Sequence, residues 1–224
     1  MGRVSDARDR LVSSTIDLIW QDSYGAVSVD AICERAGVKK GSFYHFFKSK
    51  EDLVLAALDA HWQARKPVLD GLFSPSIDPL DRLRGYFAHV HTRQLHLKKV
   101  YGRFVGCFFI AVGMATSGEA PEIAKKVQEI LANYTRYYES ALRDAEARGL
   151  VRIDDIPKKA RSLFAYMEGV LSQARIQDDP EIIRNLGVSA FQFLGVLEGA
   201  LEGVSPAKGS AGARERRPKR AAAR

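Results

Sequence analysis

The sequence predicts an all-α protein with an N-terminal three-helix helix-turn-helix domain and a larger helical domain behind it. Three observations carry this. Apolar residues recur at helical spacing along most of the chain, and no hairpin dipeptide sits between alternating apolar runs. Gly and Pro punctuate that pattern at helix-length intervals. The stretch VKKGSFYHFFKSK, residues 38–50, sets five consecutive rings among four lysines with no acid. A core segment explains the rings and a solvated face explains the lysines. Both together ask for rings that pack inward on one side and meet a negatively charged partner on the other.

Helix by helix, Ser5 is the expected cap of a first helix running to about Asp22, with Ala7, Leu11, Ile16, Leu18 and Ile19 as its apolar stripe. Gly25 marks the turn after it. Ser28 is placed to cap a second helix, Val29 to about Ala36, with Asp30 in its first turn and Gly37 just past its end. After a short link, Ser42 is the expected cap of a third helix, Phe43 to Phe47. On it Phe43, Phe46 and Phe47 share an inward face while Tyr44 and His45 point away. Ser49 and Asp52 read as a capping box opening a fourth helix to about Arg65, closed by Pro67 and Gly71. Helix, Gly-containing turn, helix over residues 28–48 is the pattern whose second helix enters a DNA major groove.

Further along, the spacing predicts helices over about 80–99, 121–148, 158–177 and 181–201, with residues 101–115 as a buried, largely apolar segment. Apolar faces on the last two (Leu163, Phe164, Met167 and Leu171; Leu186, Phe191, Leu194 and Leu197) suit a dimer bundle, and Gly187, Ser189 and Gly195 permit close helix contact. The expected domains are residues 1–50, residues 51–204, and a basic disordered tail, 205–224.

The 224 residues are 46% hydrophobic and 27% charged, ordinary for a globular protein. The net charge of +7 is uneven: the tail alone holds 7 Lys/Arg against 1 Asp/Glu. No apolar run approaches the ~18–20 residues of a membrane span, and the charged N-terminus lacks the apolar core of a secretory signal. Two distant cysteines, Cys33 and Cys107, are expected as free thiols in a cytoplasmic protein. The motifs G-x-S-x-G, P-loop, H-E-x-x-H and the dinucleotide fingerprint are all missing, so no catalysis is expected. His89, His91 and His96 lack the i, i+4 spacing of a helical zinc site, and neither metal nor cofactor is expected.

Residues 26–58, AVSVDAICERAGVKKGSFYHFFKSKEDLVLAAL, resemble the DNA-binding domain of tetracycline-repressor-type (TetR-family) transcriptional regulators. The likeness is carried by the AGV turn, Tyr44-His45-Phe46 and the FKSKEDL entry to the fourth helix, and covers roughly residues 5–60. It implies a homodimer that binds a double-stranded operator, takes a small-molecule effector in its C-terminal domain and dimerises through its last two helices. By the same resemblance Ser28 and Tyr44 are phosphate contacts, and Lys39, Lys40 and Ser42 reach bases or backbone. His45 lies exposed on the recognition helix, Lys48 and Lys50 lie near phosphates, and Gly41 lets the backbone approach DNA.

The expected function is a repressor released from its operator by a small molecule. The alternative is an architectural or nonspecific DNA-binding protein that uses the basic tail and takes no ligand. The residues expected around an effector are Trp62, His91, Tyr101, Phe104, Cys107, Phe108 and Tyr138. Cys107 has two readings, a small core residue or a thiol sensing an electrophile or oxidant, with Arg103 one turn earlier as the cation lowering its pKa.

Overall fold

The structure is a computed structural model; it describes residues 2–196, with side chains from residue 6. All regular structure among the described residues is helical. The first four helices are α1 (Gly2–Asp22), α2 (Val29–Ala36), α3 (Lys40–Phe46) and α4 (Lys50–Leu72). Then come α5 (Pro79–Tyr101), α6 (Phe108–Thr116), α7 (Pro121–Ala147), α8 (Ile156–Gln177), a 3-10 turn (Pro180–Ile183) and α9 (Leu186–Leu194).

Local chemistry sets the ends. Ser28 Oγ accepts the Ala31 N–H at 3.1 Å and opens α2. Gly37, at φ 62, closes it, and Val38 N–H returns to Cys33 O at 2.9 Å. Ser49 Oγ accepts the Asp52 N–H at 3.0 Å, and the Asp52 carboxylate accepts the Lys48 N–H at 3.0 Å, so the capping box forms one residue wider than usual.

Several expectations need correction. Helix α1 starts at Gly2, which puts Ser5 in its first turn rather than before it. Ser42 does not cap α3; Ser42 N–H and Phe43 N–H already bond back to Lys39 O, at 2.8 and 3.1 Å, so the turn closes from Lys39. Helix α4 runs through Pro67 to Leu72, because the proline ring lies on the exposed face while Leu69 and Phe73 bury on the other. Pro157 lies inside the first turn of α8, where its missing N–H costs nothing. The 101–115 segment is not one helix. Gly102 and Gly106, at φ 75 and 70, turn the chain into a loop before α6, and Met114 is exposed. The expected 181–201 helix is broken at the 3-10 turn, and α9 stops at Gly195 (φ 64). Leu197, the end of that helix and the 205–224 tail lie outside the described residues.

Helices α1–α3 pack with the start of α4 around Leu11, Ile19, Ile32, Phe43 and Leu53, each fully buried. Helices α7 and α8 form the centre of the second body, with α4, α5, α6 and α9 around them. The faces expected at the dimer bundle are used here instead: Leu163, Phe164, Met167, Leu171, Leu186, Phe191 and Leu194 are all buried within the chain. Exposed on α8 and α9 are Ile176, Val188 and Phe193.

Candidate functional site

Two features stand apart from this frame: an exposed face on α2–α3 and a cavity in the second body. On the first, burial divides α3 cleanly. Phe43 and Phe47 sit in the core, Phe46 is half-buried, and Lys39, Lys40, Gly41, Ser42, Tyr44, His45 and Lys48 are exposed, as is Ser28 at the start of α2. Tyr44 stands edge-on against Phe43, with centroids 5.0 Å apart, so a buried ring props up an exposed one. Lys40 Nζ reaches the Asp30 carboxylate at 2.8 Å and joins the starts of the two helices. A Cβ added at Gly41 would meet nothing within 4 Å, so nothing inside the chain demands glycine there. Lys50 is placed otherwise: its ammonium donates to Tyr24 O at 2.7 Å and lies 4.1 Å from the Tyr24 ring centroid. Arg8 covers Phe47 from α1, 5.4 Å from the ring centroid.

The cavity holds about 60 Å³ between α4, α5, α7, α8 and the loop that enters α6. That loop is pinned from α8: Asp178 accepts the Phe104 N–H at 2.7 Å and pairs with Lys98 at 3.0 Å. These donors hold the Asp178 carboxyl below its usual value, the Phe104 N–H first and Lys98 after it. Of the expected effector residues, Cys107 and Phe108 are in the wall. The others are not. Trp62 packs behind it on Tyr134, centroids 5.2 Å apart. Tyr138 is fully buried and donates to Met167 Sδ at 3.1 Å. Phe104 is core, and His91 is half-exposed away from the wall. Tyr101 donates to Asp17 Oδ1 at 2.6 Å and so ties α5 to α1.

Sequence reading missed the polar wall: His61 and Arg65 on α4, Arg93 and Gln94 on α5, and Glu168 on α8. A signal existed for two of them. Gln94 and Glu168 interrupt apolar helical stripes, one between Val90 and Leu97, the other between Phe164 and Leu171. Burial pushes the Glu168 carboxyl up to about 7, with the Cys107 thiol beside it pulling the other way. Burial also drives the His61 imidazole well below its ordinary value, helped by the charges of Arg93 and Arg65. Cys107 goes the opposite way from the sensing expectation: burial and then the charge of Glu168 push its thiol well above the usual range. Arg103 does not relieve this, since it turns to α1 and donates to Trp20 O at 3.2 Å.

Residues 11–57 match the family model described as bacterial regulatory proteins of the tetR family, and residues 79–187 match a tetracyclin repressor-like C-terminal domain. The chain belongs to the TetR family. Among relatives of this TetR-family chain is the transcriptional regulator AcuR of Cereibacter sphaeroides, 27% identical over 78% of this chain and 79% of that one. Another is the repressor NemR of Escherichia coli, 25% identical over 80% of this chain and 89% of its own. A crystal structure of a regulatory protein TetR from Rhodobacter sphaeroides superposes with a TM-score of 0.74 at 25% identity, covering 84% of this chain and 98% of that one. The protein is thus a DNA-binding transcriptional regulator, and TetR-family regulators are non-enzymatic. Among the described residues no helix is long and apolar enough to cross a membrane, and no group of three or more His, Cys, Asp or Glu side chains gathers to hold a metal.

Proposed function

We propose that the chain is a homodimeric repressor that leaves its operator when a small molecule enters the cavity between α4 and α8. One observation carries the reading. Trp20 of α1, in the DNA-binding body, rests directly on the cavity wall: on His61 and Phe108, with centroids 5.2 and 5.6 Å away, and under the Arg93 guanidinium at 5.5 Å. A ligand that shifts those residues shifts α1 and the α2–α3 face with it, and a difference in affinity between two arrangements is all a switch requires. The repressor sense draws on relatives named as repressors, NemR of Escherichia coli and DhaR of a Mycobacterium.

In this reading residues 1–50 bind DNA and residues 51–204 hold the ligand and the dimer contact. Ser28, Lys39, Lys40, Gly41, Ser42, Tyr44, His45 and Lys48 form one exposed face, with cations and hydroxyls for phosphates. Lys50 is left out because its ammonium is committed to Tyr24. The exposed Ile176, Val188 and Phe193 support a second copy packing on α8 and α9. Two such faces then meet successive major grooves roughly 34–36 Å apart.

The test is a DNA titration at ~150 mM salt, using the region upstream of the chain's own gene and a shuffled duplex. The expected preference is on the order of 10³, lost in Tyr44→Ala. Lys39→Ala or Lys48→Ala should lower the log–log salt slope by about one each. Equal, salt-steep affinity for both duplexes would favour the architectural alternative.

A further inference from the structure

Two acceptors in the cavity wall have no donor. Gln94 is almost wholly buried on α5. Its Nε2 donates to Gly106 O at 3.0 Å, which fixes the amide and leaves Oε1 without a partner. Glu168 on α8 is 8% exposed. Its Oε2 has no partner. Both residues line the same space, and the wall near them is apolar, with Val90, Met167 and Leu171. A buried acceptor left unpaired costs about 1–3 kcal/mol. A ligand that supplies the missing donor recovers that cost on binding.

We propose that the cavity takes a small uncharged molecule carrying a hydroxyl or amide N–H on a short apolar body, with that donor given to Glu168 Oε2 or Gln94 Oε1. The inference rests on the effector reading of this cavity. Size limits the body to a few carbons, since about 60 Å³ is well below the ~150 Å³ of a cavity that holds benzene. Charge limits it too. Arg65 and Arg93 in the wall repel a cation, as they already do the protonated form of His61. A carboxylate anion has no hydrogen to give the two acceptors and brings its own oxygens against them.

The side chains that bear on Glu168 are Cys107 ahead of α6, Tyr86 on α5, and Tyr134 and Tyr138 on α7; His61, Arg65, His89 and Arg93 complete the charged and titratable wall. Burial raises the thiol and all three phenols, so they stay protonated near neutrality, and His61 stays uncharged. Glu168 is the group held near 7. A donor ligand favours its ionised form, so binding should strengthen as pH rises.

The full chain with 13C-methyl methionine supplies the probe. Met167 is in the cavity wall, and the exposed Met114 serves as the control signal. Four small molecules are titrated: butan-1-ol, its isomer diethyl ether, butyrate and butylammonium. Butan-1-ol should move the Met167 signal with affinity at least ~10-fold above that for the ether, and up to ~10-fold tighter at pH 8 than at pH 6. Glu168→Gln should keep the alcohol preference and lose its pH dependence; Glu168→Leu should reduce the preference itself. If the ether, butyrate or butylammonium binds as tightly as the alcohol, the donor-ligand proposal is overturned while the cavity stands as a ligand site. If none of the four moves Met167, the proposal and the effector reading of this cavity fall together.

Discussion

The Trp20 indole meets the His61 imidazole edge to face, with centroids 5.2 Å apart and planes at 87°. One ring belongs to the first helix of the helix-turn-helix body and the other to the wall of the cavity. Trp20 is 5% exposed, and Tyr101 also packs on it, 5.4 Å away. Removing the indole empties the joint between the two bodies. Trp20→Ala should cost about 3–5 kcal/mol in urea unfolding. Trp20→Phe keeps a ring in place and should lose clearly less.

A second joint lies at the far end of α5. Arg82 is 1% exposed and donates to Ile77 O at 2.8 Å, to Pro75 O at 3.0 Å and to Asp144 Oδ2 at 2.5 Å. The carbonyls have the arginine as their donor, whereas Asp144 is 43% exposed and reaches water. The two halves of the cluster therefore differ in weight. Arg82→Met should destabilise by about 2–4 kcal/mol, and Asp144→Asn by less than about 1 kcal/mol, both read from chemical denaturation.

Stability should fall as pH rises through neutrality. Glu168 has a folded value of about 7 against 4.5 when exposed, so the folded state holds the proton more tightly. Its contribution is complete below pH 4.5 and is lost as pH rises through 7. Between pH 6.5 and 8 the loss is about 1 kcal/mol, and the decline should vanish in Glu168→Gln. His61 acts with the opposite sign. Its folded value is depressed, so its contribution is present above 6.5 and fades as pH drops. Thermal melts of the wild type, Glu168→Gln and His61→Phe from pH 5 to 8 separate the two.

Cys107 should be a slow nucleophile in the folded protein. In this half-buried residue, burial and then the charge of Glu168 push the thiol well above the usual range, while a reactive cysteine needs a thiolate. Alkylation by iodoacetamide at pH 7.5, followed by mass spectrometry, should modify Cys107 at least ~10-fold more slowly than a free cysteine thiol. Glu168→Gln removes the neighbouring negative charge and should quicken the reaction.

The helix-turn-helix was readable because its signals are local. Ser28, Gly37 and Ser49 each act within a few residues of themselves, and the split between Phe43 and Tyr44 follows from helical spacing alone. The later elements depended on tertiary packing. Pro67 reads as a stop, yet Leu69 and Phe73 bury beyond it and carry α4 on. Gly102 and Gly106 divide an apolar run that composition alone leaves whole. For the cavity, ring type does not distinguish wall from core: Phe108 lines it, while Tyr138 and Trp62 pack behind. A polar residue inside an apolar stripe, as at Gln94 and Glu168, was the better guide.

The most direct test of the coupling between the two bodies uses Trp20 itself. The chain has two tryptophans, so Trp62→Phe leaves Trp20 as the sole indole reporter, at the joint between α1 and the cavity wall. Its emission is recorded while the upstream duplex or its shuffled control is added at ~150 mM salt. A saturable change is expected with the upstream duplex and none with the control. Tight, specific DNA binding that leaves the Trp20 emission unchanged would contradict the coupling.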